Sequence, residues 1–269
     1  WSDAVSGRVF SQSNEKLQPR LTSLAGVSFL RFDGEDDHLR CVDTTLNLKA
    51  SSIFIVVAPH VNPGMFEGIF AANAPEHRDY ESGLTVDLGP NPGFKFDSIN
   101  IEGHGFGGAA DILNSEHDFG TLHVLETVID PTAEKVLLRL DGKDEGHRVF
   151  KASDLSFDQL TVAARFYTNG PGAQEVRGPF RGDIAEIIVY DRVLANDESK
   201  AVTDYLLAKY KPLADALPKD LDLPSNGGAP LVKVKDAPSI QILQPGFSVH
   251  EVPLELTNLN NIRYRADGK

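Results

Sequence analysis

The chain has 269 residues, enough for one large sandwich or two modest domains to bury an ordinary core without disulfide or metal staples. A net charge of -13 and a pI near 5.0 exclude nucleic acid and anionic membrane surfaces as partners, since both need a cationic footprint, and disfavour acidic substrates unless calcium bridges them. The single cysteine, Cys41, excludes an internal disulfide and reads as a small core residue, and no segment is apolar for long enough to span a membrane.

Residues 1–25 are polar, with Leu17, Leu21 and Leu24 scattered among serine, glutamine and asparagine, so a lead-in with one short helical turn is expected. The chain opens on Trp1-Ser2-Asp3 with no signal-like stretch, which suggests a processed end or a boundary within a longer polypeptide. From Val27 the pattern predicts strands at 27–32, 52–58, 68–72, 83–88, 94–102, 121–129, 135–140, 148–151, 160–167 and 183–191. Turn chemistry separates them, most plainly at Gly89-Pro90-Asn91-Pro92-Gly93 and Asp141-Gly142. Short strands with glycine and proline breaks and one late helix predict an all-β antiparallel sandwich closing as a jelly roll, not β-α alternation.

The run 184–190 is dense in β-branched residues and reads as a central strand covered on both faces. A helix follows, with Asn196 as its cap, Asp197 and Glu198 in the first turn, Lys209 and Lys211 near the other end and Pro212 as its stop. Ala201, Val202, Tyr205 and Leu206 form the apolar stripe expected to lie on the sheet. Residues 214–238 have the proline, glycine and lysine-aspartate composition of a linker, and residues 239–269 become apolar and strand-like again.

The catalytic signatures are weak. Gly103-His104-Gly105-Phe106-Gly107-Gly108 matches G-x-G-x-x-G, but residues 109–119 offer no amphipathic helix to receive a pyrophosphate, so a loop at the rim of the sandwich is expected. Glycosidases need two acids flanking the scissile bond, and no strand carries E-x-D-x-x-E. Asp183 and Glu186 are an odd number apart and point to opposite faces unless a bulge intervenes. G-x-S-x-G, H-E-x-x-H and Cys-His signatures are absent. His117 and His123 are separated by Asp118-Phe119-Gly120, which reads as a turn and not a zinc pair.

Three pieces carry a family resemblance: Phe29-Leu30-Arg31-Phe32-Asp33-Gly34 followed by Asp36, Asp37 and Leu39; Leu138-Arg139-Leu140-Asp141-Gly142; and the closing strand I-A-E-I-I-V-Y-D-R-x-L with its helix ending Y-L-x-x-K-Y. In order and spacing, over residues 26–211, they resemble laminin-G-like, concanavalin A-like domains of secreted bacterial proteins. The resemblance implies a concanavalin A-like jelly-roll sandwich at 26–213 with one helix packed on it. It also implies calcium as a cofactor, for which the turn acids Asp33, Asp36 and Asp37 with Asp183 are the candidate ligands. It raises the loops around Asp79 and Tyr80, and around Tyr167, Asn169 and Arg177, as candidate glycan-binding elements, with rings for stacking and amide, acid and guanidinium groups for hydroxyls.

The tail, with Leu243-Gln244-Pro245-Gly246-Phe247-Ser248-Val249, resembles the first strand of the β-propeller of planctomycete-type proteins related to sugar dehydrogenases; the alternative is an edge strand added to the sandwich. The resulting expectation is a secreted, periplasmic or cell-surface module that binds a glycan or positions a neighbouring domain of the same polypeptide, without catalysis. A jelly-roll polysaccharide hydrolase or lyase, and a structural interaction module of an oxidoreductase-like chain, are the alternatives.

Overall fold

The computed structural model describes residues 1–42, 44–170 and 172–220. In chain order its strands begin with β1 (Arg20–Leu24), β2 (Val27–Asp33), β3 (Leu39–Cys41), β4 (Asn47–Leu48), β5 (Ser51–Pro59), β6 (Gly68–Asn73), β7 (Leu84–Asp87) and β8 (Asn100–Gly103). They continue with β9 (His123–Asp130), β10 (Lys135–Leu140), β11 (Lys143–Val149), β12 (Leu155–Ser156), β13 (Gln159–Val162), β14 (Arg165–Tyr167), β15 (Glu175–Arg177) and β16 (Arg181–Tyr190). Two helices complete the set, α1 (Asp79–Ser82) and α2 (Asn196–Asp220).

Two antiparallel sheets face one another, one in the order β1-β2-β16-β5-β9-β10-β11 and the other β3-β13-β6-β7-β8. Period-two alternation builds the space between them: Phe32, Ile53, Ile55, Val57, Leu125, Leu138 and Ile184 from the larger sheet meet Phe70, Ala72, Leu84, Val86, Ile101 and Leu160 from the smaller. Cys41 lies buried in this core, as its sequence context implies. β16 sits between β2 and β5 as the expected central strand, but it is not covered on both faces, since residues 185–188 and Tyr190 are half-buried and Val189 is exposed; it is β5 whose every residue is buried.

The outer faces of the two sheets differ. On the larger sheet, Phe29, Phe54, Val56, Ala58 and Val124 form an apolar surface covered by α2. The helix buries Ser199, Thr203, Leu206, Tyr210, Leu213 and Leu217, whose steps of four and three keep one face turned to the sheet. This corrects the expected stripe, since Tyr205 and Ala201 are exposed. The helix also runs through Pro212 to Asp220. The bond lost at a proline, about 3 kcal/mol, is offset by burying Leu213 and Leu217, each worth roughly 1.5–3 kcal/mol. Asn196 is not the cap: its side chain accepts from Arg139, while Glu198 reaches back to the amide of Ala195.

The strand expected at 94–102 shortens to β8, the segment before it making only an isolated bridge between Phe96 and His117. The strand expected at 148–151 is the end of β11, and the lead-in contains β1 and a 3-10 turn, Glu15–Leu17, capped by Asn14. The G-x-G-x-x-G run is the expected loop, with a tight Phe106 to Gly103 turn and Phe106 in the core. Residues beyond 220, which hold most of the expected linker and all of the propeller-like tail, lie outside the described residues. Among the described residues no helix is long and apolar enough to cross a membrane.

If the helix docks as described, Leu206→Ala removes a fully buried side chain and costs about 2–5 kcal/mol, whereas Tyr205→Ala, on the solvent side, changes stability by roughly 0.5 kcal/mol or less. Urea unfolding of the two variants checks this; equal losses would mean that the helix presents the other face.

Candidate functional site

The outer face of the five-stranded sheet is polar. Register places Arg40, Thr161, Ala71, Thr85 and Glu102 in one row across β3-β13-β6-β7-β8, with Gly68, Asp87 and Asn100 in a parallel row. α1 packs over β6, β7 and β8, and the hairpin β14-β15 lies against α1 and β6.

A break in one expected strand puts the hairpin there. Residues 160–167 do not run straight: Ala163 takes a positive φ of 63°, and the chain leaves the sheet after β13. The next residues cross the outer face so closely that a Cβ on Gly68 would meet the carbonyl carbon of Ala164 at 2.7 Å, which requires glycine there. Arg165 thereby reaches Asp79 on α1, donating from Nε at 2.8 Å and Nη2 at 2.7 Å, and Asp87 on β7 from Nη1 at 3.4 Å. All three side chains are buried.

Rings surround this guanidinium. Its carbon lies 5.6 Å from the Phe66 ring, 5.6 Å from Tyr80 and 5.0 Å from Tyr167, and the two tyrosines meet edge to face at 5.8 Å. Arg177 stands 5.4 Å over Tyr167, and the Tyr80 hydroxyl donates to the Asn169 side chain at 3.4 Å. The residues expected at glycan-binding loops, Asp79, Tyr80, Tyr167, Asn169 and Arg177, are thus brought together. Within the group Asp79 and Tyr167 are buried, Tyr80 and Arg177 half-buried, and Asn169 exposed. Arg165, Phe66, Asp87 and Glu67 were not singled out from the sequence; the visible signal was an arginine following Ala163-Ala164 in an otherwise apolar run.

Burial dominates the electrostatics. It would lower Arg165, but the hydrogen bonds and charge of Asp79, with Asp87 behind, reverse this and hold the guanidinium above its ordinary value. Burial lifts Asp87 to about 6 against the pull of Arg165. Glu67, at the start of β6, is lifted to about 7, first by burial, with the charge of Asp87 adding to it. Its Oε2 is buried with no hydrogen-bond partner.

The turn after β2 gathers Asp33, Asp36 and Asp37, with ligand atoms within 4.8 Å of one another. Burial and then the charge of Asp33 push Asp37 up to about 6. Among the described residues none of the three has an ion-pair partner, and Asp33 also orders the turn by accepting from the amides of Glu35 and Asp36. Three close, uncompensated carboxylates suit a hard cation and supply part of the six to eight oxygens calcium takes. Asp183 does not join them. It is fully buried and its oxygens are taken by Arg31 at 2.8 and 3.1 Å and by His60 at 3.0 Å.

A bulge between Ile184 and Glu186 does intervene, carrying Glu186 to the helix side, where Lys209 binds it at 2.8 Å. Neither acid is placed as half of a catalytic pair. His117 and His123 meet edge to face with centroids 4.4 Å apart, but their Nε2 atoms contact Ser115 and Thr121, and His123 Nδ1 donates to Asp141. They form no group of three metal ligands.

No protein-family model matches the chain, and none of the curated proteins matches it. Solved structures do. Domain 4 of AbnA, an extracellular arabinanase of Geobacillus stearothermophilus solved with arabinotriose, is 14% identical with a TM-score of 0.53, over 75% of this chain and 92% of that one. The native heptameric SAP-like pentraxin of Limulus polyphemus is 15% identical with a TM-score of 0.50, over 64% and 80%. The binding domain of Paraclostridial Mosquitocidal Protein 1 is 10% identical with a TM-score of 0.54, over 76% of this chain and about half, 48%, of that one. At such identities the likeness is one of fold: the chain is a concanavalin A-like jelly-roll β-sandwich with one C-terminal helix packed on it.

Proposed function

We propose that the chain is a non-catalytic carbohydrate-binding module, with its glycan site at the Tyr80 and Tyr167 loops. The observation that carries this reading is the pair of tyrosines held edge to face over a buried ion pair, with Asn169 exposed beside them. The fixed rings lose little freedom when a sugar face stacks on one of them. The nearby guanidinium groups are already compensated, Arg78 by Glu81, Arg165 by Asp79 and Arg177 by Glu175, so this site suits neutral sugar faces. A secreted or cell-surface setting, beside a neighbouring domain of the same polypeptide, accords with this reading. Since the similar arabinanase domain was solved with arabinotriose, arabino-oligosaccharides are a reasonable first probe.

Tyr80→Ala is expected to weaken binding of the oligosaccharide that the wild type selects on a glycan array by at least about tenfold, the equivalent of roughly 1.4 kcal/mol, with little change in unfolding temperature. Unchanged affinity in calorimetry would place the site elsewhere.

Calcium support is proposed for the Asp33, Asp36 and Asp37 turn alone. Calcium is expected to raise the unfolding temperature, a chelator to reverse it, and Asp36→Asn to abolish the response. In metal-free buffer Asp37→Asn is expected to stabilise, because it removes a buried charge held among like charges. Scanning calorimetry of these proteins with and without calcium decides it; a calcium response intact in Asp36→Asn would remove these ligands.

A second reading, hydrolysis, is favoured by one observation: Glu67 near 7 and Asp87 near 6 are neighbouring acids raised into the range of a general acid. Both are sheltered beneath the loops, which favours a structural role. A carboxyl raised from its ordinary 4.5 to about 7 stabilises the fold fully below 4.5, and that contribution is lost as the pH climbs through 7. Glu67→Gln is therefore expected to flatten the fall in unfolding temperature between pH 5 and 8, by about 2–4 °C for each kcal/mol removed. Polysaccharide turnover by the wild type, abolished in Glu67→Gln, would establish the hydrolase instead.

A further inference from the structure

Among arginines that are not fully exposed, Arg31, Arg78, Arg139, Arg165 and Arg177 each bind a carboxylate, and Arg148 lies in the field of Glu102. Arg40 does not. On β3, at the edge of the five-stranded sheet, its Nη2 donates to the Gln159 side-chain oxygen at 3.2 Å and its Nε–H is buried with no acceptor among the described residues. Its guanidinium carbon lies 3.4 Å over the Phe166 ring. The cross-strand partner of Arg40 is Thr161, whose hydroxyl is also buried without a partner. Two polar groups side by side on one sheet face thus lack what buried polar groups ordinarily have.

Supply is not the reason, since the chain holds 39 acids against 26 lysines and arginines. Burial is the one influence resolved on the guanidinium, lowering its pKa, with no described acid close enough to raise it. A half-buried cation left this way costs stability, and such a cost is retained where a ligand repays it. Phe166 follows Arg165 and precedes Tyr167 on β14, so alternation turns it away from the tyrosine site, and the two lie on opposite faces of one short strand.

We propose that Arg40, with Thr161 beside it and the Phe166 ring stacked on it, is an anion-binding subsite for a single carboxylate. One planar guanidinium matches the two oxygens of a carboxylate, and although a net charge of -13 works against every acidic ligand, a carboxylate's single charge meets less of that repulsion than a phosphate dianion does. That the carboxylate is borne by a sugar, a uronic acid, rests on the carbohydrate-binding function proposed above; the anion site itself rests on the geometry of Arg40.

The test follows the arginine Nε–H signals by NMR while sodium glucuronate, or glucose as the neutral control, is added at constant ionic strength. The expected result is a saturable shift of the Arg40 signal with glucuronate and none with glucose. In Arg40→Met, glucuronate affinity by calorimetry falls at least about tenfold while the unfolding temperature is unchanged or higher. The Arg40 shift is also expected to persist in Tyr80→Ala, which separates this site from the tyrosine site. An Arg40 signal that glucuronate leaves unmoved, or a marked drop in the unfolding temperature of Arg40→Met, would overturn the proposal, the latter by showing that the cation serves the fold.

Discussion

A buried positive charge organises the outer face of the five-stranded sheet. Arg165 is nearly inaccessible to water, and an arginine in such a place must be met by negative charge. Asp79 meets it from the short helix and Asp87 from the sheet, so one guanidinium ties together three segments distant in sequence. The tyrosines take their positions from it. Tyr80 follows Asp79, Tyr167 lies two residues after Arg165, and the charge between them attracts the faces of both rings. Removing either acid would leave Arg165 short of a partner, and the rings would lose the framework that sets their separation.

Much of the fold was legible because the pattern that encodes it is local. Short β-branched runs between turn signals marked most strands of both sheets, and the run 184–190 announced a central strand of the larger one. Where the sequence misled, a long-range contact had overridden a local preference. Pro212 ends a helix by its own chemistry, but Leu213 and Leu217 find an apolar sheet face waiting, and burial outweighs the lost bond. Tyr205 has the apolar character of a packing residue, yet the true line of contact runs through Ser199 and Thr203, whose hydroxyls do not register as apolar.

The candidate site was legible in its tyrosines, in Asp79 and in Arg177, and illegible in Arg165, Asp87 and Glu67. Tyr80 on the one-turn helix α1, Tyr167 and Arg177 on the hairpin β14-β15 and Asn169 between its strands lie in or beside loops, where an aromatic or charged residue is conspicuous. Asp87 and Glu102 stand on neighbouring strands at separate positions in the chain, so a search for acids spaced along one strand passes over them. Arg165 looked like one residue in a continuous strand, because nothing in Ala163-Ala164 signals that the chain turns out of the sheet there. Asp183 drew notice as an acid near a closing strand, but only the fold reveals that Arg31 and His60 already occupy its oxygens.

The two outer faces show how one architecture covers its sheets in two different ways. The larger sheet turns apolar residues outward and covers them with a long helix, a cover held by burial that tolerates no gap. The smaller sheet turns polar residues outward and covers them with one helical turn and a two-stranded hairpin, held by directional bonds to Arg165. A polar face under so thin a cover stores less stability per residue, since each hydrogen bond merely replaces one made with water. What it gains is an array of fixed donors and acceptors next to the half-buried ring of Tyr80. Those are the elements from which recognition of hydroxyl-rich ligands is built, and they occur on the face where burial contributes least to the fold.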